Sequence, residues 1–371
     1  MRIIVLLLIS ILTFNLSLTA GKIPPPAASS AFWNDVKVGG VYYLSYQQGE
    51  KPGTGDFSEF LVKRAYLTVQ KTFLPMLSSR VTLDAYQDVT GDLKARMKYL
   101  YAAFNLPNFY KITDLNLEFG LVHTPWLDFE EHINYYRMQD TMFMERVGII
   151  DSGDFGLTIM GYIGGRMAEE YRRMVNDKYC GRYGSFAAGI YNGGGYHAQE
   201  LNENKVFQGR LTVRPLPDLM PGLQMSYFQI NGKVNQNETA HSPASPWAGH
   251  TFMLSYEHKC FTLTGQYITG YGNKSGQWIN WSSFSISAWN YEGYSFFAEL
   301  KAGAHIRGIA RYDHLHPGVQ DLPGNYNRYI TGAGWDFGNR NLLLIDYDWV
   351  EYHYLQFGDS RRIQTTLQLN F

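Results

Sequence analysis

The sequence predicts an all-β protein, a transmembrane antiparallel β-barrel of sixteen strands, and three observations carry the prediction. Segments of about ten residues alternate between apolar and polar side chains along most of the chain, as strands do between lipid and a wet lumen. Aromatic residues make up 16% of the sequence, while the mean hydropathy is only −0.26. Both values fit a barrel with aromatic girdles and a polar interior. The chain also ends on an alternating segment that closes with Phe371.

The N-terminus is predicted to be an export signal peptide covering residues 1–20. Arg2 supplies the positive start, a mostly apolar run follows, and small residues surround a cleavage site near Ala20, which is the layout of a secretory signal. An N-terminal membrane anchor is the alternative, but polar residues interrupt a short run. Residues 21–35 are then expected to form a periplasmic leader, and residues 36–371 the barrel.

The alternation predicts seventeen strand segments. The seventeen segments are 36–46, 59–71, 79–88, 95–104, 114–123, 154–162, 184–192, 205–214, 222–231, 250–258, 261–270, 282–290, 294–301, 305–313, 327–337, 340–350 and 361–371. Single-chain bacterial barrels have an even number of strands, so one segment must be dropped or one has been missed. We assign 282–290 to an outside loop, which leaves sixteen strands and places 314–326 and 351–360 outside. Keeping that segment reverses these placements, and eighteen strands is the alternative. The polar stretch 163–183 would be an unusually long periplasmic connection.

The last segment shows the alternation most clearly. One face carries Ile363, Thr365, Leu367, Leu369 and Phe371, and the other carries Arg362, Gln364, Thr366, Gln368 and Asn370. The first face suits lipid and the second a water-filled lumen. The terminal Phe371 resembles the C-terminal signature that the barrel-assembly machinery reads in outer-membrane proteins. We therefore expect a location in the outer membrane of a Gram-negative bacterium, in contact with lipid and lipopolysaccharide.

Seven short motifs occur in a fixed order over about residues 60–371. They are FLVKRAYL at 60–67, RVTLD at 80–84, FGLVHTP at 119–125, FMER at 143–146, GIYNG at 189–193, GRLTVRP at 209–215 and ARYD at 310–313. Their order resembles that of the phosphate-selective porin family. The resemblance implies a sixteen-stranded, trimeric porin whose third outside loop, here about 124–153, folds inward to narrow the pore. Leu121 and His123 stand where that family often carries Gln and Lys, so these residues do not predict a phosphate-specific site.

Charged residues on the polar strand faces are predicted to line the pore, because charges inside a membrane span avoid lipid. These residues are Arg64, Arg80, Lys98, Arg210, Arg214, Arg311, Arg362 and Glu118. The predicted constriction loop contributes Trp126, Asp128, Glu130, Glu131, Tyr135 and Arg137. An arginine-bearing wall that faces an acidic loop would create a transverse field. The alternative is that the arginines pair with wall carboxylates and only solvate the wall.

Other classes of function have little support in the residues. No P-loop, nucleophile elbow or CxxC pair occurs, so we predict neither an enzyme nor a cofactor. The net charge of −1 does not suit a nucleic-acid binder. His314 and His316 are interpreted as loop histidines rather than metal ligands. Whether Cys180 and Cys260 pair is left open by the sequence.

The leading hypothesis is a porin for passive diffusion of small hydrophilic solutes, with an anion preference as its finer form. The alternative is a closed outer-membrane barrel whose outside loops bind a ligand or a partner. A soluble secreted β-sandwich is a third hypothesis, but it leaves the terminal Phe371 unexplained.

Overall fold

The computed structural model describes residues 35–88, 90–238, 243–276, 278–281, 286–318, 325–353 and 358–371. The predicted signal peptide and all but the last residue of the predicted leader lie outside this part of the chain. Residues from Lys37 to Phe371 form one compact unit.

Sixteen antiparallel strands close into a single barrel, which confirms the predicted fold class and excludes the eighteen-strand alternative. Their bounds are β1 Val36–Lys51, β2 Gly55–Leu74, β3 Leu77–Gln87, β4 Leu93–Asn105, β5 Ile112–His123, β6 Gly153–Ile163, β7 Gly184–Tyr191, β8 Val206–Val213, β9 Leu223–Lys233, β10 Pro246–Glu257, β11 Phe261–Tyr271, β14 Asn290–Ala302, β15 Ile306–Pro317, β16 Tyr326–Gly338, β17 Asn341–Tyr352 and β18 Ser360–Asn370. Two short strands, β12 Ile279–Trp281 and β13 Ile286–Ala288, form a separate sheet before β14. Of the predicted loop segment 282–290, residues 282–285 lie outside the described part of the chain, residues 286–288 belong to this separate sheet, and only residue 290 enters the barrel.

Several strands are longer than the alternation indicates. β1 continues to Lys51 instead of residue 46, β10 begins at Pro246 instead of 250, and β15 continues to Pro317. The predicted outside stretch 314–326 is therefore partly strand. The reason is that both faces of a strand meet polar surroundings near the rims. Apolar alternation ends there, although the backbone ladder continues.

Closure joins the two ends of the barrel sequence. β1 pairs with β18, with Tyr42 opposite Leu369. Gly40 N donates to Phe371 O at 3.0 Å, and Phe371 N donates to Gly40 O at 3.1 Å. A Cβ on Gly40 would lie 2.4 Å from the Tyr66 carbonyl oxygen and 2.6 Å from the Phe371 ring. The missing side chain at residue 40 is therefore what lets the last strand close against the first.

The two faces of the strands differ as the alternation predicts. On β18, Gln364, Thr366 and Gln368 are buried in the interior, whereas Ile363 and Phe371 are exposed on the outside. Large apolar side chains cover the outer face of other strands as well. Examples are Leu44, Leu67, Leu100, Phe119, Leu211, Phe252, Leu263, Phe296 and Ile345. An outer surface this apolar suits contact with lipid rather than water.

Two departures from alternation lie on β2 and β4. The register between β3 and β4 shifts because Thr82 pairs with Tyr99 while Leu83 pairs with Met97. Lys98 is therefore the extra residue of a β-bulge, and both Lys98 and Tyr99 are buried in the interior. On β2, the consecutive residues Lys63 and Arg64 both bind interior groups. The interior of this wall thus carries more charge than strict alternation predicts.

Within the described part of the chain, three helices lie in the connections between strands. α1 Leu127–Ile133 and α2 Phe143–Arg146 lie between β5 and β6, and α3 Glu169–Met174 lies between β6 and β7. Because successive strands are antiparallel, the connection with α1 and α2 enters from one end and the connection with α3 from the other. The α3 end also carries the short turns at 75–76, 258–260 and 339–340, which is typical of the periplasmic side. Among the described residues, no helix combines the length and apolarity needed to cross a membrane.

Candidate pore constriction

The connection between β5 and β6, residues 124–152, is called the third loop here, and its apolar side packs against the inner wall. Trp126, Phe129 and Ile133 are spaced to share one face of α1, and all three are buried. The Trp126 and Phe228 ring centroids are 5.4 Å apart, and the cluster extends to Trp247 on β10. Burial of large aromatic side chains is a strong driving force. It holds the loop inside the barrel.

Polar contacts fix the rest of the third loop along the wall. The hydroxyls of Tyr135 and Tyr136 each donate to Glu299 Oε1 at 2.7 Å. Asp140 accepts hydrogen bonds from Arg328 at 2.9 Å and from Arg362 at 3.2 Å. Although burial opposes its ionisation, Arg328, Arg146 and Arg362 hold the pKa of Asp140 well below its usual range. The loop therefore follows the wall from β8 round to β18.

Main-chain oxygens of the third loop extend this attachment to β2. Gln139 O accepts from Gln364 Nε2 at 2.8 Å and from Lys63 Nζ at 3.1 Å. Lys63 also donates to Met138 O at 2.7 Å. Lys63, which alternation places on the outer face, is therefore an anchor of the loop.

The interior wall of β2 to β4 carries charges that stay partly accessible. Arg64 and Arg96 donate to Asp84 Oδ2 at 3.2 and 3.1 Å, yet their side chains remain 28% and 23% exposed. On the third loop, Asp128 and Glu131 are each 23% exposed. His123 links the loop to this wall, since its Nε2 lies 3.7 Å from Asp128 Oδ1 and 3.2 Å from Arg80 Nη1. The space between this basic wall and the acidic loop edge is called the gap here, and it is the candidate constriction.

Aromatic rings hold the cations of this wall in place. Lys98 Nζ lies 4.4 Å from the centroid of the Tyr66 ring. The Arg80 guanidinium lies 5.0 Å from the centroid of Tyr99, and its Nε donates to Thr82 Oγ1 at 3.1 Å. Such cation–π contacts stabilise a cation without neutralising it. The wall therefore keeps its positive charge.

The loop edge contains its own charge network. Arg137 Nη1 donates to Glu131 Oε1 at 2.7 Å and to Glu145 Oε2 at 2.5 Å. Burial opposes ionisation of Glu145, but Arg137, with smaller contributions from Lys98 and Lys274, lowers its pKa to about 2. Glu145 therefore stays ionised at neutral pH.

The residues predicted from sequence separate into two groups. Arg64, Arg80, Lys98, Asp128, Glu131 and Arg137 lie around the gap, and Arg362 and Tyr135 border it through their contacts with Asp140 and Glu299. Glu118 lies deeper, where it accepts from His123 Nδ1 at 2.9 Å. The remaining predicted residues are covered by packing against the wall.

Arg210, Arg214 and Arg311 do not face open space. Arg210 donates to Pro125 O at 3.0 Å beneath α1. Arg214 contacts the Tyr171 hydroxyl at 3.2 Å, and the 1% exposed Arg311 side chain pairs with Asp313 at 2.9 Å. The prediction that these three arginines line the pore is therefore corrected. The third loop and the connection after β6 cover the wall from which they project. Trp126 and Glu130, from the predicted constriction loop, also face this covered wall.

One residue beside Arg96 is not predicted from the sequence. Tyr196, from the connection between β7 and β8, accepts from Arg96 Nη2 at 2.8 Å, and its ring centroid lies 4.7 Å from that guanidinium. The signal that could have found it is the run of three glycines just before it. Gly195 has φ +79°, and a Cβ there would lie 2.0 Å from Asp151 Oδ2. This run lets the connection turn tightly into the lumen.

Comparisons with known proteins agree with this architecture. An anion-selective porin from Comamonas acidovorans superposes with a TM-score of 0.59 at 12% identity, covering 91% of this chain and 99% of that one. The outer membrane channel DcaP of Acinetobacter baumannii gives 0.59 at 11% identity, with 91% and 97% coverage. Salmonella typhi OmpF, solved in complex with daunomycin, gives 0.57 at 10% identity with the same coverage. No family model matches the sequence, and no curated protein does. The protein thus has the fold of the outer-membrane porins.

Proposed function

We propose that this protein is an outer-membrane porin through which small hydrophilic solutes diffuse passively. A barrel of sixteen strands is wide enough to leave an aqueous channel. The observation that carries the proposal is the set of partly exposed charges inside the barrel, with Arg64 and Arg96 on the wall and Asp128 and Glu131 on the third loop. Accessible charges of opposite sign in a barrel interior suit the passage of hydrated solutes rather than a packed core.

The finer part of the proposal is a preference for small anions. The interior wall of β2 to β5 carries five cations and two carboxylates, which are Lys63, Arg64, Arg80, Arg96, Lys98, Asp84 and Glu118. Basic residues around a pore attract anions. On the loop edge, Glu131 and Glu145 are paired with Arg137, so they offset the wall charge only in part. A solute in the gap therefore meets a net positive wall.

Single-channel recording in a planar bilayer with a KCl gradient tests both parts. We expect stable conductance and a reversal potential on the anion side. Lys98→Gln removes one wall cation and should shift the reversal potential towards cations. Lys259→Gln is the matched control, because Lys259 is exposed on the turn between β10 and β11, and it should leave the potential unchanged. Equal effects of the two substitutions would contradict the role given to the wall.

A closed, ligand-binding barrel is the second candidate, and it is favoured by other connections that turn inward. Lys274, from the connection after β11, pairs with Asp151 at the base of the third loop, and Tyr196 contacts Arg96. A correctly folded protein that passes no current would support this candidate over the porin.

We also propose that residues 1–20 direct export and are removed near Ala20, and that the mature protein assembles as a homotrimer. The barrel-assembly machinery and lipopolysaccharide are its expected partners in the membrane. N-terminal sequencing of the outer-membrane fraction, followed by size analysis in mild detergent, tests these points. An N-terminus that retains Arg2 would rule out cleavage, and a monomer at all concentrations would rule out the trimer.

A further inference from the structure

A second segment enters the lumen from the opposite end to the third loop. The connection between β6 and β7, residues 164–183, is called the periplasmic-side insert here. Met167 N donates to Cys180 O at 2.7 Å, which ties the two arms of the insert together. Tyr171, Tyr179 and Cys180 are all buried. The insert is therefore packed inside the barrel and does not form a simple turn.

The insert contacts both ends of α1 in the third loop. Asn176 Nδ2 lies 2.8 Å from His132 O and 2.7 Å from Glu257 Oε1, so it bridges the last turn of α1 and the wall. The Tyr179 hydroxyl donates to the Asp128 carboxylate in the first turn. These are direct contacts between the insert and the edge of the candidate constriction.

Arg210 binds the two segments together through their aromatic rings. The Tyr179 and Phe129 rings meet in a T-shaped arrangement at a centroid distance of 5.2 Å and an angle of 87°. The Arg210 guanidinium lies 4.2 Å from the Phe129 centroid and 4.9 Å from the Tyr179 centroid. The arginine, predicted from sequence to line the pore, thus joins the insert to the loop.

Asp128 lies at the gap, and its position depends on the hydrogen bond from the Tyr179 hydroxyl. Its Oδ1 lies 3.7 Å from His123 Nε2, and His123 Nε2 lies 3.2 Å from Arg80 Nη1. The Tyr179 hydroxyl occupies the other carboxylate oxygen. Without that donor, the carboxylate could turn further into the gap.

We infer that the periplasmic-side insert is a positioning element for the constriction, in which Tyr179 and Asn176 fix α1 and thereby set the ion preference of the pore. The inference rests on the proposed porin function. It assigns the ion preference partly to residues that enter from the opposite end and do not line the gap.

A labelling experiment tests whether Tyr179 and Asn176 hold the insert in place, independently of any current. Cys180 is buried in the insert, while Cys260 is exposed on the turn between β10 and β11, and both thiols are free. A charged maleimide should modify Cys260 quickly and Cys180 slowly, with mass spectrometry following each site. Tyr179→Phe and Asn176→Ala should each raise the Cys180 rate about tenfold, the factor expected when a hydrogen bond to a charged group is lost.

Tyr183→Phe is the matched control, because Tyr183 lies in the same insert and its ring is exposed. It should leave the Cys180 rate at the level of the parent protein. If Tyr179→Phe and Tyr183→Phe have equal effects on labelling, Tyr179 does not hold the insert and the inference is overturned.

Reversal potentials of the same variants test the effect on the pore. Tyr179→Phe should shift the potential towards cations, because the freed Asp128 carboxylate turns into the gap, and Tyr183→Phe should not. Faster Cys180 labelling without any change in potential would overturn the inference and leave the porin proposal intact. A folded parent protein that passes no current would overturn the porin proposal, and the inference with it.

Discussion

Glu130 of the third loop lies in surroundings much less polar than water, and this changes the pKa of its carboxyl group. The side chain is buried against the barrel wall, and its Oε2 accepts a hydrogen bond from Trp126 Nε1 at 2.9 Å. Burial raises the pKa of Glu130 to about 7, although Arg311 and Trp126 act in the opposite direction. The folded protein therefore keeps a proton on this carboxyl over a pH range in which the unfolded chain has lost it.

The raised pKa predicts a pH-dependent effect of Glu130→Gln. The pKa of an unfolded glutamate is about 4.3, so the stabilising contribution of protonated Glu130 is fully present below that pH. It is lost as the pH rises through about 7. The glutamine in Glu130→Gln does not ionise, so the variant does not lose stability in this way as the pH rises. Its free energy of unfolding relative to the parent should rise by at most about 4 kcal/mol between pH 4 and pH 8. Urea unfolding in detergent at several pH values measures the difference.

Glu145→Gln is the control with the opposite sign. The pKa of Glu145 is lowered to about 2, so its contribution is present above about pH 4.3 and is lost only as the pH falls towards 2. Glu145→Gln should therefore destabilise the protein by a constant amount between pH 5 and pH 8. If the two variants have the same pH slope, the environment assigned to Glu130 is wrong.

At the scale of strands, the sequence predicts the faces well and the irregularities poorly. Alternation places Arg64, Arg80 and Arg362 in the interior, where the structure has them. It places Lys98 in the interior as well, but it does not predict the inward position of Lys63 or the bulge that turns both Lys98 and Tyr99 inward, because such irregularities depend on pairing with the neighbouring strand rather than on local pattern. The predicted strands are too short near the rims for a related reason. The hydrogen-bonded ladder continues there, although the alternation of apolar and polar side chains has ended.

The facing assignment on β18 predicts different effects for two adjacent arginine substitutions. Leu367 lies on the outer face, beside Leu44 and Leu343, whereas Gln368 is buried inside and donates to Arg340 O at 2.6 Å. An arginine facing lipid costs up to roughly 2–4 kcal/mol. Leu367→Arg should therefore lower the yield of folded protein in lipid vesicles more than Gln368→Arg does. Equal yields would refute the assignment of these faces.

Across the whole molecule, segments enter the lumen from both ends, and the sequence does not predict how they pack against the wall. Arg210 and Arg214 stand on interior faces just as Arg64 does, yet the third loop and the periplasmic-side insert cover them. Periodicity reports which face a side chain is on, but not which distant segment packs over it. The stretch 163–183 fitted no strand because it is a packed insert. The barrel could therefore be predicted, while the residues at the candidate constriction could be identified only from the contacts between loops.

Closure of the barrel gives a test that separates two roles of the C-terminus. The Phe371 backbone forms two hydrogen bonds with Gly40, while its ring is exposed and is the part that we propose the assembly machinery recognises. Gly40→Val keeps the terminal ring but places side-chain atoms against the Tyr66 carbonyl and the Phe371 ring. We expect it to reduce heat-modifiable, folded barrel both in cells and in refolding from urea.

Phe371→Ala keeps the closing hydrogen bonds and removes the ring. It should reduce assembly in cells much more than refolding into detergent, where no machinery acts. Gly308→Ala is the control for Gly40→Val, because nothing lies within 4 Å of the position its Cβ would take on β15. Refolding of Gly40→Val at the level of Gly308→Ala would show that close approach at residue 40 is not needed. Equal loss of Phe371→Ala in both settings would show that the ring acts in closure itself, since the strand pairing across β1 and β18 is then the step that fails.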